Sequence, residues 1–173
     1  MSTLVATAVI VVGAGLHLLL DKRPRSASRA VEIVLVWMLA IGGAQELLSG
    51  LSHVLIPAQA AASIGWAPGS PFQYEVGIAD LGLGVVGLMC IWYRGGFWLA
   101  SGIALSIFSF GAGVGHVYQF VVNHDTAPNN AGVLMYFTLI WPIVTMGLLA
   151  VYMRSQSSHQ TRVQRSELAR SAL

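Results

Sequence analysis

Residues 97–122 read FWLASGIALSIFSFGAGVGHVYQFVV, with no Asp, Glu, Lys or Arg and a single histidine, His116. A helix needs about 20 apolar residues to cross the hydrocarbon of a bilayer, and this run exceeds that length. Four other stretches meet or nearly meet it: 4–20, 30–56, 71–93 and 131–153. The expected fold class is therefore an all-α integral membrane protein, a bundle of five transmembrane helices. Composition agrees. Of 173 residues, 55% are hydrophobic and 9% charged, against about 25% charged in soluble domains. Nineteen glycines suit membrane helices whose backbones approach closely.

Basic residues set the expected orientation. Lys22, Arg23, Arg25 and Arg29 follow the first span, Arg94 follows the third, and Arg154, Arg162, Arg165 and Arg170 follow the fifth. The 57–70 loop has no charge, and the 123–130 loop has only His124 and Asp125. Five spans place every Lys and Arg on one side, so the N-terminus is expected outside and the C-terminus in the cytoplasm. Four spans would break this agreement. No basic segment precedes the first apolar run, which reads as a retained span rather than a cleaved signal peptide. Residues 1–153 then form the bundle. Residues 154–173 form a polar cytoplasmic tail, mobile or lying along the anionic inner leaflet. The lipid bilayer is the expected partner. A net charge of +2, with its basic residues in loops and tail, excludes a nucleic-acid partner. Cys90 stands alone, which excludes an intramolecular disulfide.

Local signals add detail. Residues 57–63 suggest a short interfacial helix. Ser70, Pro71 and Gln73 suggest a helix start closed by a capping box. Trp66, Trp92, Tyr93, Trp98 and Tyr152 read as interfacial anchors. Pro142 frees a carbonyl in the last span, for which Thr138 or Thr145 are the expected donors.

Six ionisable residues lie within spans: His17, Glu46, His53, Glu75, Asp80 and His116. Such groups are costly in lipid and face the bundle interior or a water-filled cavity. Gly42, Glu46, Ser49 and His53 share a helical face, as do Gly77, Asp80, Gly84 and Gly87, and as do Gly102, Ser106, Ser109, Gly113 and His116. Gly13 and His17 form a fourth, shorter stripe. These stripes have two readings. They pack helices, within the chain or in a homo- or hetero-oligomer, or they line a site. Glu46, His53, Asp80 and His116 fall in the outer half, and His17 in the inner half.

Three chemistries suit that cluster. A transition metal is one, held by His53, His116 and one carboxylate, with Gln119, one turn beyond His116, behind them. Glu46 and His53 are about 10 Å apart along their helix, too far to share one ion. Haem between the two histidines is a weaker alternative, because no basic side chain at that end would meet its propionates. Proton relay along acids and histidines is the third. No nucleophile elbow supports a hydrolase, and no enzyme activity is assigned.

The string from Gly65 to Gly77, with Ser70-Pro71-Phe72-Gln73-Tyr74-Glu75-Val76-Gly77 at its core and Gly115-His116 later, resembles the signature of a bacterial membrane-protein family of unknown function. The resemblance spans roughly residues 30–153. It implies a small multi-pass membrane protein and singles out Gln73, Glu75 and His116; the expected location is the bacterial inner membrane. The expected function is a polar His/carboxylate site in the outer half, metal-binding or proton-handling. The alternative is a non-catalytic membrane subunit whose stripes only pack helices.

Overall fold

The computed structural model describes residues 3–171, without the side chains of 159–163, 165, 166 and 169. The side chains of Arg162 and Arg165 thus lie outside the described residues. The described residues form six helices: α1 (Thr3–Leu20), α2 (Ala27–Leu55), α3 (Pro57–Ser63), α4 (Phe72–Met89), α5 (Gly96–Val122) and α6 (Val133–Ser171). Among the described residues there is no strand. α1, α2, α4, α5 and the Val133–Ser158 part of α6 are long and apolar enough to cross a membrane. Such runs become helices because lipid offers backbone groups no partner outside the segment.

Several ends differ from the sequence reading, each for a local reason. α6 runs on to Ser171 because neither Gly nor Pro interrupts residues 148–171, and Ser155 and Ser158 return their hydroxyls to carbonyls of the preceding turn. α4 stops at Met89 rather than near Tyr93. The chain reverses over 90–95, where Gly95 takes φ +64° and the Trp98 indole donates to the Cys90 carbonyl at 2.8 Å. That bond draws Trp98 inside. Trp98 and Tyr152, expected as interfacial anchors, are buried against each other, ring centroids 5.0 Å apart. Trp66, Trp92 and Tyr93 stay exposed.

The capping box does not form. Pro71 holds the cap position of α4 without a side-chain bond, and the Gln73 side chain turns inward to His53. One amide cannot serve both, and an imidazole N–H left unpaired inside the bundle costs more than an uncapped helix start. The donor expected beside Pro142 also differs. The freed carbonyl is met by Ser109 of α5, while Thr138 and Thr145 bond other carbonyls of their own helix.

Two helix pairs build the bundle. Gly43 and Gly50 of α2 meet Gly77, Gly84 and Gly87 of α4, and a methyl on Gly43 would lie 2.7 Å from the Gly87 Cα. Leu47 and Val54 complete this seam. It lies one residue on from the Gly42, Glu46, Ser49, His53 stripe, and one residue is about 100° of helical turn. The polar stripe is therefore rotated to the edge of the α4 contact, where Ser49 and His53 still reach Asp80 and Gln73, and Gly42 packs on Trp141 of α6. α5 joins α6 through Gly102, against Leu149, and Gly113, against Thr138 and Leu139. α1 lies on α2, with Gly13 under the Trp37 ring and the Trp37 indole donating to His17 Nδ1 at 3.2 Å.

The pairs close on each other around Leu35, Leu39, Trp98, Leu105 and Leu149. This packed end carries the basic loops, and there Arg29 bonds Asp21 and Glu32 at 2.6 and 2.7 Å. Toward the other end the pairs part.

Candidate functional site

Where the pairs part there is a cavity of about 540 Å³ between α2, α5 and α6. α2 contributes Glu46, Ser49, Ser52 and His53, and α5 contributes His116. α3 and the 123–132 loop close its end. The Asn129 amide donates to the Ser63 carbonyl at 3.1 Å, and Gly65, at φ +78°, leaves room for the Asp125 carboxylate, which a Cβ there would strike. Gln45, Ser109 and Thr138 add further polar groups, and Leu4, Leu48, Phe108, Val133, Leu134 and Phe137 supply the apolar part of the wall. A concave, largely apolar space with a few convergent polar groups is the usual form of a small-molecule site.

Both histidines are held in the same way. His116 Nδ1 lies 2.9 Å from Asn130 Oδ1. Asn130 is fully buried, and its Nδ2 donates to the Asp125 carbonyl at 3.0 Å. That second bond fixes which way the amide points. Its oxygen faces the imidazole, so His116 Nδ1–H donates and Nε2 keeps its lone pair. The Asp125 carboxylate in turn accepts the Ala127 N–H at 2.9 Å, which shapes the loop that carries Asn130. On the facing pair, His53 Nδ1 bonds Gln73 Oε1, again leaving Nε2 for other partners.

The remaining candidates are distributed differently. Asp80 is 1% exposed and lies in the α2–α4 seam rather than on the cavity wall. It faces the Ser49 hydroxyl, and its Oδ1 has no hydrogen-bond partner. Ser49 thus stands between this buried acid and the cavity. Glu75 is exposed, two residues and about 200° from Gln73 on α4, so it does not join the cluster. Gln119 accepts from Asn123 at the helix end and does not support His116. Among the described residues no three His, Cys, Asp or Glu side chains form a group that could hold a metal ion.

Sequence reasoning missed Asn130, because it stands in a loop outside every helical stripe. The available signal was its position in the short connection next to the His116 span. Phe108 and Phe137 carry no such signal, since aromatic residues inside apolar runs read as ordinary lipid-facing or core positions.

No curated protein and no solved structure matches the chain. A family model matches residues 1–158, which takes in α1 to α5, the membrane-length part of α6 and every residue of the cavity. The chain belongs to a family of unknown function, DUF6790.

Proposed function

We propose that this chain is a small multi-pass protein of the bacterial inner membrane that exchanges protons in the cavity formed by Glu46, His53 and His116. The N-terminus lies outside, and residues 154–173 form the cytoplasmic end. The orientation draws support from Lys22, Arg23, Arg25, Arg94 and Arg154 sharing the end opposite the cavity.

One observation carries the functional reading: two imidazoles, each held at Nδ1 by a side-chain amide oxygen, line the same cavity as a carboxyl. An amide oxygen accepts the Nδ1–H of both neutral and cationic imidazole. A proton can therefore come and go at Nε2 without breaking the contact that holds the ring. Histidine is also the side chain whose ordinary titration lies nearest neutrality.

The test is infrared difference spectroscopy between two pH values, on protein in lipid nanodiscs. A carboxyl band that responds to bulk pH and disappears in Glu46→Gln supports the reading, as do imidazole bands altered in the His53 and His116 variants. A Glu46 carboxyl indifferent to pH overturns it and leaves a subunit whose seams only pack helices. A transition-metal ion, which His53 and His116 would hold, is the second reading, favoured by the two histidines lining one cavity. Elemental analysis of protein prepared without chelator decides it: a stoichiometric metal, lost in His53→Ala and His116→Ala, would replace proton exchange.

A further inference from the structure

We infer that the ligand of this cavity is a small organic ammonium ion carrying an apolar group. The inference rests on the cavity being a working site, as proposed above, and names what that site takes. Its first ground is the sign of the polar groups. Glu46 is the one acid on the wall, and no Lys or Arg lines it among the described residues. The second ground is the histidine orientation. Asn130 takes the Nδ1–H of His116, and Gln73 takes that of His53. Each neutral ring then turns an acceptor, Nε2, to its other partners. A carboxyl able to give up its proton and two imidazole acceptors match a group that brings positive charge and several N–H donors, and with no Lys or Arg on the wall a carboxylate or phosphate meets no fixed positive charge among the described residues.

The third ground is the remainder of the wall. Phe108 and Phe137 line the same space, and aromatic faces attract cations while also burying apolar substituents. A volume of about 540 Å³ falls within the usual range of about 300–1,000 Å³ for small-molecule sites. A bare inorganic cation would leave the apolar part of the wall, Leu48, Phe108, Leu134 and Phe137 among it, without contacts. An ammonium ion on an apolar stem fills both parts.

The experiment is calorimetric titration of the full chain in nanodiscs with benzylammonium at neutral pH, using empty nanodiscs as the blank. Benzoate and benzyl alcohol serve as probes of similar shape and different charge. Saturable binding of one benzylammonium per chain is expected, with the other two probes at least about tenfold weaker. Glu46→Gln should weaken benzylammonium about tenfold or more, the loss expected for a hydrogen bond to a charged group. Glu167→Gln, in the far part of α6, should leave it unchanged. The comparison of three probes on the unaltered chain stands even if Glu46→Gln does not fold. Benzoate binding as tightly as benzylammonium, or no saturable binding, overturns the assignment. The infrared response of Glu46, measured without any amine, then judges the proton-exchange reading separately.

Discussion

Ser109 of α5 points its hydroxyl at the carbonyl of Thr138 on α6, 3.4 Å away. Pro142 has no N–H to give that carbonyl, so a neighbouring helix replaces the missing bond. Ser109→Ala should lower stability by about 1 kcal/mol, since it leaves a carbonyl unpaired inside the bundle. In a Pro142→Ala background residue 142 supplies its own N–H, and the same serine substitution should cost almost nothing. Unfolding of the four proteins in one detergent measures this coupling. Equal costs in both backgrounds would show that Ser109 does not serve the proline gap.

The α2–α4 seam makes a steric prediction. A methyl on Gly43 would sit 2.7 Å from the Gly87 Cα, and one on Gly84 2.7 Å from the Leu47 amide nitrogen. Those are backbone atoms and cannot step aside, so Gly43→Ala and Gly84→Ala should each destabilise by about 1–3 kcal/mol. Gly82 has open space around its Cβ position, and Gly82→Ala should be neutral or gain a few tenths of a kcal/mol from helix propensity. Thermal unfolding in detergent separates the two classes. A Gly82 variant as unstable as the other two would contradict the seam.

What the sequence showed and what it hid follow from the same physics. The five apolar helices and the short 57–63 helix are legible because span length and turn residues are local properties. Which of two adjacent faces of α2 meets α4 is not, because Gly42 and Gly43 both offer a small residue. The choice depends on the facing glycines of another helix. The same limit applies to the site. Glu46, His53 and His116 stand out as ionisable residues in apolar runs, yet their supports, Gln73 and Asn130, are ordinary amides near helix ends. Gln73 even carried a competing local role in the capping box, which the buried imidazole overrode. Trp98 looked interfacial by its place with Trp92 and Tyr93 at the boundary of the spans, and the turn at Cys90 draws it in.

Asp21 gives the expected pH response outside the spans. Its carboxylate accepts from Arg29 at 2.6 Å, and this bond holds it below the usual carboxylate range. A group whose folded value is depressed adds stability above its unfolded value, about 3.9, and loses it as pH falls toward the folded value. The difference in melting temperature between the parent and Asp21→Asn should therefore be constant from neutral pH to about 5 and shrink below about 4. A difference that grows on acidification would have the wrong sign for this pair.

Asn130 is the position at which fold and site are most closely joined. It is fully buried, takes the His116 Nδ1–H on its oxygen and donates one amide N–H to the Asp125 carbonyl. Asn130→Ala removes both bonds and should cost about 1–3 kcal/mol. Asn130→Asp keeps an acceptor for His116 but sets an oxygen against the Asp125 carbonyl, so it should preserve the imidazole tautomer better than it preserves stability. Nitrogen-15 histidine spectra measure the tautomer directly. In the parent, His116 should show Nδ1 protonated and Nε2 bare, and in Asn130→Ala a mixture of both forms. If the alanine variant keeps the parent spectrum, the ring is oriented by something other than Asn130. The bare Nε2 of His116 would then lose its structural cause.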